Sequence, residues 1–140
     1  MTTAIDTNVL IALWDENTRI NTVARRAFDA AHAEGPLVAS GAVYAELLAL
    51  PGRSENMLDA FFDATRIRVD WEFGEDVWRG AGTAFQGYVV RRRAERSGSP
   101  RRILTDFIIG AHAFAHRYRL LTLDRRLYRA AFPELDIIFV

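Results

Sequence analysis

The sequence predicts an α/β fold in which a parallel sheet is covered on both faces. Three observations carry that reading: the candidate strands are short and nearly all apolar, they alternate with helical stretches along the whole chain, and every crossover between them is helical. Sheets of this kind bind ligands beyond the carboxyl ends of their strands, so the residues that terminate each strand are the ones to inspect.

The first strand, around Ala4 and Ile5, stops abruptly at Asp6. Thr7 and Asn8 lead into an apolar stretch with helical spacing at Val9, Ala12 and Leu13. After a polar turn at residues 15–19, Asn21 is expected to cap a helix reaching Glu34, which Gly35-Pro36 ends. Residues 37–40 form the second strand. Ser40 is placed to cap a helix over residues 41–50, and on its apolar stripe of Val43, Leu47 and Leu50 stands Glu46, an inward-facing acid. Ser54 opens the next helix, expected to bury Met57, Leu58, Phe61 and Phe62, and residues 66–69 form a third strand. Asp70, Glu72, Glu75 and Asp76 suit the positive end of the following helix, which carries Val77, Trp78, Ala81, Phe85 and Tyr88.

That helix ends in Arg91, Arg92, Arg93 and Arg96, and beyond a Ser-Gly-Ser-Pro loop come Arg101 and Arg102. Asp106 then shares one face of a helix over residues 104–117 with Ile109, Gly110 and Ala113. Residues 120–122 are a fourth strand ended by Asp124, Leu127 and Tyr128 ride on a turn of helix, and residues 136–140 are the last strand. Trp14, Trp71 and Trp78 are expected to pack, with Trp14 the best placed for a partner surface.

Composition narrows the chemistry. The 140 residues make one domain (residues 1–140), half of them apolar, with zero net charge and no cysteine. Thiolate metal sites, disulfides and cysteine nucleophiles are thereby excluded. All 18 basic residues are arginine, so a P-loop and any lysine-dependent mechanism are excluded too. No apolar run is long enough to cross a bilayer and the N-terminus lacks signal-peptide features, which points to the cytoplasm without a membrane partner.

Four acids remain in comparable positions: Asp6, Glu46, Asp106 and Asp124. Any one carboxylate at a strand end or in a first helical turn could simply cap or answer the helix dipole. Four converging carboxylates repel one another, and hard divalent cations, Mg²⁺ or Mn²⁺, relieve that repulsion with oxygen ligands alone. Such ions generate hydroxide and stabilise a leaving oxygen, the requirements of phosphodiester hydrolysis. His112 and His116 have the spacing of zinc ligands, but no intervening glutamate or third ligand accompanies them.

The stretches Ile5-Asp6-Thr7-Asn8-Val9-Leu10, Ser40 to Glu46, Asp106-Phe107-Ile108-Ile109-Gly110-Ala111-His112-Ala113 and Leu121-Thr122-Leu123-Asp124 occur in the order of the PIN-domain family. The sequence resembles that family, and within it the VapC-type toxins of bacterial toxin–antitoxin pairs. The resemblance implies a three-layer α/β/α sandwich whose acidic cleft binds Mg²⁺ or Mn²⁺ and cuts single-stranded RNA. It implies that Asp6, Glu46, Asp106 and the more variable Asp124 are catalytic and metal-binding, with Asn8 and Thr122 in support. A homodimer and a cognate antitoxin whose tail enters the cleft are implied as well. The arginines 91, 92, 93, 96, 101 and 102 are the candidate RNA-binding patch on an otherwise neutral protein. Two other readings stay open: a non-catalytic interaction domain whose acids serve as caps, and a haloacid-dehalogenase-like phosphohydrolase. The latter, like a receiver-type module, resembles patterns that need a lysine this chain lacks.

Overall fold

A computed structural model describes residues 1–16, 18–95 and 102–140. The elements run β1 (Thr3–Ile5), α1 (Thr7–Trp14), α2 (Arg19–Glu34), β2 (Leu37–Ser40), α3 (Gly41–Leu48), α4 (Glu55–Thr65), β3 (Ile67–Asp70), α5 (Glu75–Ala94), α6 (Leu104–Ala115), β4 (Arg119–Thr122), α7 (Arg125–Ala131) and β5 (Ile137–Phe139). The strands form one parallel five-stranded sheet in the order β3-β2-β1-β4-β5, flanked by the helices as a three-layer α/β/α fold.

Strand β1 lies at the centre, with Ala4 opposite Val38 on one side and Leu120 on the other. Every residue of β1 and β2 is buried, which is why both read as unbroken apolar runs and not as alternating ones. Helix α6 is buried from Phe107 through Ala113, so it is apolar all round and forms part of the core. It stops at Ala115, short of the expected Arg117, because Arg117 turns left-handed (φ 59°) and Tyr118 N–H bonds back to the Ala113 carbonyl at 2.9 Å. Among the described residues no helix is long and apolar enough to cross a membrane.

Ser40 and Ser54 cap α3 and α4 as their sequence positions predict, accepting from Val43 and Met57 N–H. Four expectations are corrected. The cap of α2 is Thr18, one turn before Asn21; Asn21 is buried and its Nδ2 donates to the carbonyls of Ala12 and Leu13, both at 3.0 Å. It therefore satisfies the open end of α1. Met57 is 48% exposed, Trp71 63% and Trp78 53%, so the α4 stripe buries only Leu58 and Phe62 and two of the three tryptophans stand at the surface. Helix α3 ends at Leu48, ahead of the Pro51-Gly52 turn. Asp70 belongs to β3 and takes no part in capping α5: it bonds His112 Nε2 at 2.9 Å and Arg68 at 2.6 Å. His112 is thus an internal partner of Asp70, and burial holds its pKa below that of an ordinary histidine.

Asn21→Ala leaves the Leu13 carbonyl of α1 unpaired, while the Ala12 carbonyl keeps the Asp15 N–H at 3.3 Å, and is expected to cost about 1–2 kcal/mol. Denaturant unfolding measures it, and a loss under half a kcal/mol would mean that water replaces the amide.

Candidate active site

At the centre of the sheet the strand order reverses: β2 lies on one side of β1 and the much later β4 on the other. The crevice at the carboxyl ends of β1 and β4 is therefore the topological switch point. Asp6 follows β1 directly, and Thr122 ends β4.

Asp6 occupies the N-cap position of α1 but its side chain makes no capping hydrogen bond. Its Oδ2 instead accepts the Thr122 hydroxyl at 2.7 Å, across 116 residues of sequence. The same hydroxyl accepts from Asp124 N–H at 2.9 Å, so one threonine side chain links two of the acids. Asp6 is only 4% exposed. Burial, with the Asp106 charge adding to it and the Thr122 bond opposing, pushes its pKa up to about 6.

Asp106 is the hub of the group. Burial raises its pKa, the Arg102 guanidinium opposes, and the Glu46 and Asp124 carboxylates raise it further; since Asp6 also feels its charge, all four acids meet through Asp106. As the side chains stand, no three described acids or histidines gather tightly enough to close on a single ion. The reason lies in their present partners. Glu46 Oε1 accepts the Thr7 hydroxyl at 2.7 Å. Asp124 caps α7 through Leu127 N–H at 3.2 Å and pairs with Arg102 at 2.7 Å. Asn8 Oδ1 accepts from Leu123 N–H at 3.1 Å and fixes the turn between Thr122 and Asp124.

Three roles are not assigned from the sequence, although Thr7 stands there in a motif and Arg102 in the arginine patch. Thr7 holds Glu46, Arg102 neutralises Asp124, and the buried Tyr128 hydroxyl lies against Asp6. Burial, with the Asp6 charge adding to it, raises the Tyr128 pKa well above that of an ordinary tyrosine. The adjacent threonine was visible in the motif; the tyrosine and arginine required tertiary structure. The donor chemistry fits a hard divalent cation, because it offers only oxygen and its central carboxylates are desolvated and mutually repelling. Of the arginine patch, Arg102 pairs with Asp124 and Arg91 lies over Gly87 on α5, while Arg96 and Arg101 fall outside the described residues.

The fold has solved counterparts. VapBC2 from Rickettsia felis, bound to a DNA fragment from its promoter, matches with a TM-score of 0.67 and 19% identity over 99% of this chain and 98% of that one. FitAcB from Neisseria gonorrhoeae matches with a TM-score of 0.64 and 23% identity over 99% and 96%. A toxin–antitoxin complex from Klebsiella pneumoniae matches with a TM-score of 0.65 and 20% identity over 97% and 95%. None of the curated proteins matches. The PIN domain family model matches residues 3–133, and the chain belongs to the PIN domain family.

Proposed function

We propose that this protein is a divalent-metal-dependent endoribonuclease that cuts single-stranded RNA, and that it is the cytoplasmic toxin of a toxin–antitoxin pair. One observation supports this above the others: Asp6, desolvated at the switch point and spared from capping, with a pKa near 6, is a carboxylate waiting for a cation. Mg²⁺ or Mn²⁺ held by Asp6, Glu46, Asp106 and Asp124 would supply an activated water and charge neutralisation at the phosphate. In that hydrolysis the water oxygen bonds to phosphorus and the ribose oxygen leaves. Thr122 orients Asp6, Thr7 orients Glu46, and Asn8 sets the turn that carries Asp124. Arginines 91, 92 and 93 at the end of α5, and Arg102 beside Asp124, are offered to RNA phosphates.

The antitoxin and homodimer belong to the same reading. A groove of about 540 Å³, lined by Leu13, Trp14, Phe28 and Phe61 with Arg25 and Arg53, suits an amphipathic partner segment, and Arg53 stacks over Trp14 at 4.3 Å. The support is the kinship to the family together with the Klebsiella complex.

The test is cleavage of mixed cellular RNA by purified protein in Mg²⁺, Mn²⁺ or EDTA, with Asp106→Asn prepared alongside. Metal-dependent cutting that falls by about 10²-fold or more in the variant is expected. Cutting that persists equally in the variant would remove Asp106 from the site, and absence of cutting with every metal would leave the interaction-domain reading.

A further inference from the structure

A second concavity, of about 640 Å³, runs beside Asp124 between α7 and β5. Its wall carries Arg125, Arg126 and Arg129 together with Phe139, a residue 51% exposed. None of these arginines forms an ion pair among the described residues, and Arg125 lies over the Phe139 ring at 5.3 Å from its centroid. Three unneutralised cations on one short helix, in a protein of zero net charge, are a local commitment to a polyanion. An exposed aromatic ring in the same groove adds a face on which a base can stack, which a paired duplex cannot offer.

The groove is also connected to the acids. Asp124 lies in its wall and in the field of Asp106, and Phe139 is paired in register with Thr122, the residue that holds Asp6. We propose that the α7–β5 groove is the track along which single-stranded RNA reaches the acidic centre, with the three arginines on phosphates and Phe139 under a base. This rests on the ribonuclease reading and adds to it a substrate path outside the arginines of α5 and the following loop.

The experiment is fluorescence anisotropy with a labelled single-stranded RNA in EDTA, where the chain binds without cutting, over a salt series. Each lost phosphate contact lowers the slope of log affinity against log salt by about 0.7, so replacing all three arginines by glutamine should flatten the slope by roughly 2 and weaken binding about 50-fold at 0.15 M salt. Phe139→Ala should weaken single-stranded binding roughly tenfold, leave duplex RNA binding unchanged, and be restored by Phe139→Tyr. Thermal midpoints of all variants verify folding. Wild-type affinity and slope in the triple variant overturn the track. Equal losses on duplex and single strand with no effect of Phe139→Ala also overturn it, leaving an unspecific polyanion surface. If wild-type protein binds no RNA, the ribonuclease reading falls, and the track falls with it.

Discussion

Asp6→Asn is expected to abolish metal-dependent cleavage and, in the absence of metal, to make the protein more stable. The two effects have one origin. The folded carboxyl titrates near 6 against a reference of 3.8, so between those values the folded state holds a proton that the unfolded state has released. Stability from this group is therefore highest below about pH 4, falls as pH rises through the window, and above pH 6 the full penalty is present, roughly 3 kcal/mol at one 1.36 kcal/mol step per unit. Asparagine keeps an oxygen for the Thr122 hydroxyl and carries no charge. Metal-free wild type should thus gain stability as pH drops from 7 to 4 relative to the variant, and the variant should melt several degrees higher at pH 7. Mn²⁺ should raise the wild-type midpoint and leave the variant's in place. Activity should fall by about 10³-fold. A variant that melts lower than wild type at pH 7 without metal would show that Asp6 is paired and not strained by burial.

Gly110→Ala is expected to be the most damaging small substitution. Alanine ordinarily favours a helix over glycine by about 1 kcal/mol. Here the added methyl would stand 2.7 Å from Cδ2 of the buried Phe132 ring, nearer still to its Cε2 edge, with Phe107 through Ala113 leaving α6 no room to retreat. Overpacking of this kind costs up to about 3 kcal/mol and the helix gain offsets about 1 of it, so a net loss of about 2 kcal/mol is expected in chemical denaturation. Phe132 follows α7, which presents Tyr128 to Asp6, so the substitution should also disturb the acids. Combining it with Phe132→Leu should recover part of the loss; strict additivity of the two would show that the clash is relieved elsewhere.

The alternation of apolar runs and helical stretches made the sheet legible, because a parallel strand buried on both faces leaves an unbroken apolar signature, as β1 and β2 do. Caps that act within three residues, Ser40 and Ser54, were legible for the same local reason. Side chains that act across the chain were not. Asn21 looks like a cap until α1 is seen ending against it, and Asp70 looks like part of an acidic cap until His112 is found 42 residues away. At the candidate site the acids announced themselves through their apolar surroundings. Thr122 was legible through the family motif and Arg102 as part of a phosphate patch, but that Thr7 holds Glu46, Arg102 pairs with Asp124 and Tyr128 adjoins Asp6 is not legible in any single window.

The hydrogen bond between Thr122 and Asp6 spans 116 residues, and β1 finds its second neighbour only when β4 arrives. Contacts of such separation form late, after the loop-closure entropy of the intervening chain has been overcome. During synthesis, which proceeds from the N-terminus, Asp6 emerges early but the crevice around it cannot exist until nearly the whole fold has left the ribosome. The acidic centre of this topology is therefore completed only at the end of synthesis, when β4 brings Thr122 to Asp6.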